Sequence, residues 1–192
     1  MADAGMNLKK ARVLLSNDDG IHAPGLKTLE DAIRPLVGEL WVVAPETEQS
    51  ATSHSLTLRR PLRIRHISDH RYAVDGTPTD AVLLGVNEVM KDGPPDLILS
   101  GINRGGNLGE DVTYSGTVAA AMEGALLGIP SIALSQVYED RHKVKWATAK
   151  TWMPKVLKQL LSAGWPKGIF MNVNFPDRTA AKVTGIEVCR QG

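Results

Sequence analysis

The chain has 192 residues, enough for one domain with a substantial core, and its 43% hydrophobic and 22% charged residues lie near globular averages, which excludes a disordered chain. With 22 basic and 21 acidic residues the net charge is +1, and no long basic run is present, so the footprint of a nucleic-acid polymer binder is absent. The one cysteine, Cys189, excludes an intrachain disulfide and fits a reducing compartment; in a strand-like run it reads as a buried small hydrophobe rather than a nucleophile.

The first ten residues are polar and lack the apolar stretch of a signal peptide, and no apolar run approaches the roughly 18–20 residues of a membrane span. The expectation is a cytoplasmic protein of a single domain over residues 1–192, with no membrane partner. Residues 11–16 read as a first strand, and it stops at the polar turn Asn17-Asp18-Asp19-Gly20. Leu26, Leu29, Ile33 and Val37 recur at helical spacing and predict a helix over 26–37 that Pro35 ends or bends near Arg34. A second strand over 40–44, closed by Pro45, is apolar on both faces, as in a parallel sheet. The polar loop 46–55 follows. Leu58, Leu62, Ile64 and Ile67 then alternate with Arg59, Arg63 and Arg65, which with Tyr72-Ala73-Val74 predicts an antiparallel hairpin, its arginines on a solvated face.

Thr77 and Pro78 read as N-cap and first residue of a helix over 81–90. A third core strand spans 96–100 and leads into a long glycine-rich loop over 101–115. The small residues Ala119, Ala120, Ala121 and Gly124 predict a helix over 116–127 that packs closely on the sheet. A strand over 131–135, a helix over 145–163 kinked or divided by Pro154, and strands over 169–174 and 183–189 complete the chain. Alternation of this kind predicts a doubly wound, mostly parallel, Rossmann-like α/β sheet with a β-hairpin extension.

Three core strands end in loops with chemical content. The first supplies Asp18 and Asp19, the second Ser50, the third Asn103. Parallel and adjacent strands would converge these loops on one edge. Two carboxylates, a hydroxyl and an amide carbonyl are hard oxygen ligands, suited to Mg²⁺, Mn²⁺ or Ca²⁺ rather than to zinc or copper. Each piece alone has a plainer meaning: Asn-Asp-Asp-Gly is a common exposed turn, Ser50 a loop hydroxyl, Asn103 a turn former. Convergence is what favours a cation site. Ser115-Gly116-Thr117 opens the small-residue helix, whose free amides and two hydroxyls could cradle a phosphate, or Ser115 could be a simple N-cap. The preceding loop is neither a Walker A loop nor a dinucleotide fingerprint. His22 and His54 are candidate general acids or hydrogen-bonded loop residues, His66, His70 and His142 read as surface, and Tyr114 either stacks on a base or covers the loop.

These stretches resemble the survival protein SurE family of nucleotidases. The resemblance rests on Leu14-Leu15-Ser16-Asn17-Asp18-Asp19-Gly20-Ile21-His22-Ala23-Pro24-Gly25, on Val43-Ala44-Pro45 leading to Ser50, and on Gly76-Thr77-Pro78-Thr79-Asp80. Ser100-Gly101-Ile102-Asn103, Tyr114-Ser115-Gly116-Thr117 and Asn172-Val173-Asn174-Phe175-Pro176 extend it over nearly the whole chain. It implies a metal-dependent phosphatase acting on nucleoside 5′-monophosphates, and in some members on 3′-nucleotides and short polyphosphate. It implies one Mg²⁺ or Mn²⁺ held by Asp18, Asp19, Ser50 and Asn103, with Ca²⁺ as a substitute. It implies phosphate near Asn107, Ser115, Gly116 and Thr117, catalysis by Asp18 and Asp19, and a cytoplasmic homodimer or homotetramer. Family members usually continue past the position of Gly192 through an extended arm, so the expectation is a chain that lacks that tail.

The mechanism expected from this set is in-line attack by a water that Asp19 helps to deprotonate, with direct attack by an Asp carboxylate as the alternative. Haloacid-dehalogenase phosphatases also carry an Asp pair after a first strand, but theirs is separated by one residue, whereas Asp18 and Asp19 are adjacent. A phospho-receiver domain would need an acceptor Asp at the end of a later core strand, where this chain has Ser100-Gly101 and Ser135-Gln136. A nucleotide-binding module without catalysis is the remaining rival.

Overall fold

The computed structural model describes residues 6–139 and 143–191, so His142 lies outside the described residues. At its centre is a seven-stranded sheet of order β3-β4-β2-β1-β5-β6-β7. The strands are β1 (Arg12–Ser16), β2 (Glu39–Pro45), β3 (Ile64–Ser68), β4 (Arg71–Val74), β5 (Leu97–Arg104), β6 (Ser131–Gln136) and β7 (Phe170–Phe175). All neighbours pair in parallel except β3 with β4. The doubly wound expectation is therefore met, hairpin included.

The apolar runs are continuous because both faces of the sheet are covered. Val13 and Leu15 of β1 pack into the cluster shared with α1 (Pro24–Ile33) and α5 (Trp146–Ser162). Leu14 points the other way, into the cluster with α2 (Pro78–Leu84) and α4 (Gly116–Leu126). The small residues of α4 serve the close approach expected of them. A Cβ on Gly124 would lie 2.2 Å from Ser131 Oγ and 2.8 Å from Ile98 Cδ1, so the helix could not sit this near the sheet with any larger residue there.

Local signals set most boundaries. Thr77 and Asp80 form a reciprocal capping box at the start of α2, which gives way to a π-type turn over Gly85–Val89 where a regular helix to Met90 was predicted. α1 ends at Ile33 and leaves Val37 outside, because Pro35 cannot continue the helix. α5 runs unbroken through Pro154 instead of dividing there; one lost backbone bond is outweighed by burial of Ala149, Met153, Val156 and Leu157.

Three expectations are corrected. The hairpin begins only at Ile64, since Leu58 is 84% exposed and no neighbouring strand pairs with the residues before it. Its arginines are not all merely solvated: Arg60 pairs with Asp75 at 3.1 Å and Arg65 with Glu46 at 2.6 Å. Residues 183–189 form no strand, and Cys189 is exposed rather than buried. Ile186 there packs partly buried against the core, but Val188 is 78% exposed, so the segment lies on the protein without joining the sheet. No helix among the described residues is long and apolar enough to cross a membrane.

Candidate active site

The sheet order places β2, β1 and β5 side by side, with the chain winding to one side after β1 and returning to its other side at β5. This is the topological switch point, where loops diverge and leave a crevice beyond the carboxyl ends of the strands. A cleft of about 430 Å³ opens there, lined by Asp18, Asp19, Ser50, Asn103, Asn107 and Ser115. Six of the eight residues singled out in the sequence thus meet in one place.

Asn103 arrives by a route the sequence did not show. β5 does not end at Ser100 but shifts register between Ser100 and Asn103, then pairs again with β6 through Asn103 and Arg104. The bulge re-aims the strand's end toward β1. Asn103 Nδ2 donates to the Gly105 carbonyl at 3.0 Å, which leaves its Oδ1 as an acceptor. The Arg104 backbone amide donates to Asp19 Oδ2 at 3.2 Å. Ser50 is exposed, and its hydroxyl donates to Glu48 Oε1 at 2.7 Å.

The two carboxylates sit in different surroundings. Asp18 is only 5% exposed. Burial pushes its carboxyl up to about 6; the Thr117 hydroxyl opposes the shift and the neighbouring Asp19 adds to it. Asp19 is half-buried, and its carboxyl is also raised, first by burial, with the Arg104 amide opposing and Glu48 adding. Two adjacent acids that both resist ionisation are a place where positive charge is favourable.

The start of α4 carries a contact beyond the phosphate cradle expected of it. Thr117 is fully buried, and its hydroxyl donates to Asp18 Oδ1 rather than facing the cleft. Its backbone amide is a further donor to Asp18. The anion at this helix terminus is therefore the Asp18 carboxylate itself. Ser115 accepts from the Val118 amide at 3.2 Å as an N-cap and still lines the cleft, where its O–H can donate. Gly116 allows the contact: a Cβ there would lie 2.8 Å from Asp18 Cβ and 3.1 Å from Pro78 Cγ. Gly116→Ala is expected to cost about 1–3 kcal/mol by overpacking and to lower turnover by displacing Asp18. A denaturation midpoint and a rate measured on the same preparation would check both.

Asn107 is held more firmly than the sequence implied. Its amide donates to Ser135 Oγ at 2.7 Å, and its backbone N–H to Asn174 Oδ1 at 2.9 Å. Its carbonyl accepts from Asn172 at 2.8 Å and Asn174 at 3.1 Å. Sequence reasoning gave Asn172 and Asn174 no role, although their spacing on a strand puts both on one face. Of the histidines, His22 is exposed, while His54 meets Glu123 Oε2 at 2.7 Å and so ties the Ser50 loop to α4.

Among the described residues, no three His, Cys, Asp or Glu side chains gather as a metal cluster. A cation at Asp18 and Asp19 would draw instead on the Ser50 hydroxyl and the Asn103 carbonyl. That oxygen set fits Mg²⁺ or Mn²⁺ and leaves positions for water or phosphate.

Comparison with known proteins agrees with this geometry. A 5′-nucleotidase SurE of Paramagnetospirillum magneticum is 67% identical over 181 residues, covering 94% of this chain and 70% of the relative. Another, of Brucella anthropi, is 58% identical over 184 residues, covering 94% of this chain and 71% of the relative. The crystal structure of the SurE protein from Aquifex aeolicus matches with a TM-score of 0.87 at 44% identity, over 94% of this chain and 72% of that one. The model of the family described as Survival protein SurE matches residues 13–192, from the strand that carries the carboxylate pair onward, and the chain belongs to that family.

Proposed function

We propose that the chain is a 5′-nucleotidase, a divalent-cation-dependent phosphomonoesterase that converts nucleoside 5′-monophosphates to nucleoside and phosphate. The observation that carries this is the pair of adjacent carboxylates with raised affinity for protons, facing Ser50 and Asn103 in a cleft at the switch point. The names of the relatives supply the ester: they are 5′-nucleotidases, matched over 94% of this chain.

Asp18, Asp19, Ser50 and Asn103 would hold Mg²⁺ or Mn²⁺, which neutralises phosphoryl charge and polarises the ester. The chain's own groups do the rest. Asp18 is held by the Thr117 hydroxyl. Asp19 has one carboxylate oxygen on the Arg104 amide and turns the other toward an attacking water, whose proton it accepts. Ser115 and the second N–H of the Asn107 amide donate to phosphoryl oxygens, and the rigid mount of Asn107 on β7 keeps that donor in place as charge develops. The departing ribose oxygen takes up a proton from solvent in the open cleft. Hydrolysis of 3′-nucleotides and short polyphosphate, a cytoplasmic location, and assembly as a homodimer or homotetramer belong to the same reading.

The test is hydrolysis of AMP and p-nitrophenyl phosphate with and without Mg²⁺ or Mn²⁺. Multiple turnovers that vanish with chelator are expected. Stoichiometric phosphorylation without turnover would make the chain a receiver, and binding without hydrolysis would make it a module.

A further inference from the structure

The cleft has a second chemical character, opposite to its carboxylate end. Arg104 and Tyr138 both line it. The Arg104 guanidinium lies over the Tyr138 ring, 5.3 Å from Cζ to centroid. This arginine is exposed and makes no ion pair among the described residues, although Asp19 is close enough to its backbone to accept the amide N–H at 3.2 Å. Asn103 and Arg104 are successive residues at the end of β5, and both line the cleft. Arg104 keeps its charge near enough to Asp19 to oppose the rise of that carboxyl, while its guanidinium lies against the Tyr138 ring just beyond β6. With the Tyr138 ring beside it, the exposed guanidinium presents its remaining surface to the cleft.

We propose that this surface of the Arg104–Tyr138 pair is the platform on which the nucleobase of the substrate stacks. The inference rests on the nucleotidase reading and adds how the substrate's far end is held. A planar cation backed by an aromatic ring is held in register before the base arrives, so less freedom is lost on binding. Stacking on such a surface uses the π-face that every base has, not its hydrogen-bonding edge. The site therefore accepts all four common bases, purines somewhat better than pyrimidines, and prefers a nucleotide to a sugar phosphate of the same charge.

The experiment compares kcat/KM for AMP with kcat/KM for ribose 5-phosphate in the cation-loaded protein, together with the dissociation constant of adenosine, which has no phosphate. Arg104→Ala is expected to lower the AMP to ribose 5-phosphate ratio about tenfold, and to weaken adenosine by a similar factor. Tyr138→Leu lowers the ratio several-fold. Arg104→Lys keeps the charge without the planar face, and it too lowers the ratio. If Arg104→Ala weakens both substrates equally, the guanidinium serves the phosphate and the proposal falls. It falls as well if neither substrate nor adenosine is affected. If the wild-type protein hydrolyses neither compound, it is the nucleotidase reading that fails, while adenosine binding to the wild type and Arg104→Ala still decides the platform.

Discussion

Asp19→Asn is expected to lower turnover about a thousandfold or more while the fold survives. Two roles are lost at once. Asn has no negative charge to offer a cation, and it cannot accept the proton of the attacking water, a contribution of about 10²–10⁴ by itself. The structural role is small by comparison. Asp19 is half-buried and receives one backbone N–H, from Arg104 at 3.2 Å, which an amide oxygen accepts as well. Its raised pKa adds a second argument, since a carboxylate kept from ionising freely does not stabilise the folded state at neutral pH. The thermal midpoint of the metal-free variant should therefore match or exceed that of the parent. Rates for AMP at saturating Mn²⁺, set beside melting curves, check both halves. Turnover like that of the parent would remove Asp19 from the chemistry; a collapsed midpoint would make its role structural.

What could be read from residue order alone follows a physical division. The central strands were legible because Val13-Leu14-Leu15 and its counterparts in β2, β5 and β6 are apolar without alternation, which only burial on both faces explains. Their adjacency in a doubly wound sheet then brought Asp18, Asp19, Ser50 and Asn103 together with no contact needing to be known. The failures are places where a local pattern is decided by distant partners. The bulge in β5 depends on β6, and residue order alone reads Asn103 as a loop residue. A helix start offers donors to any anion, but that the Thr117 hydroxyl serves Asp18, 99 positions away in sequence, is a tertiary fact. The segment 183–189 has a strand's composition but pairs with no strand, and of its residues Val183 and Ile186 are partly buried while the rest are exposed. His54 illustrates the same limit: nothing near it in sequence announces Glu123.

The metal-free protein is expected to lose stability as pH rises from about 4 to about 6, against the usual trend for carboxylates, and a divalent cation is expected to cancel the loss. Asp18 is the source. Its carboxyl moves from an ordinary value of 3.8 to about 6 on folding, so between those values the folded state holds a proton that the unfolded chain has released. Unfolding free energy then falls with rising pH, by about 1.4 kcal/mol per unit, or about 3 kcal/mol over the window. Above pH 6 the loss is complete. Asp19 is raised as well and acts in the same direction. Asp31, Glu39 and Asp75 are held below their ordinary values and act oppositely, but their contribution is lost only as pH falls below about 4. The informative quantity is therefore the difference between the parent and Asp18→Asn, measured by chemical denaturation from pH 4.5 to 7.5. The parent should show the falling limb, and Asp18→Asn should flatten most of it and be the more stable protein at pH 7 without metal. Mg²⁺ or Mn²⁺ at a hundredfold excess over its dissociation constant adds about 2.7 kcal/mol to the parent and little to the variant. Identical pH profiles for the two would show that Asp18 ionises in the folded protein without penalty. A cation that stabilises both equally would bind elsewhere. The expected pattern would mean that the adjacent carboxylates burden the apo-protein, and that the ion gathering Asp18, Asp19, Ser50 and Asn103 removes the burden.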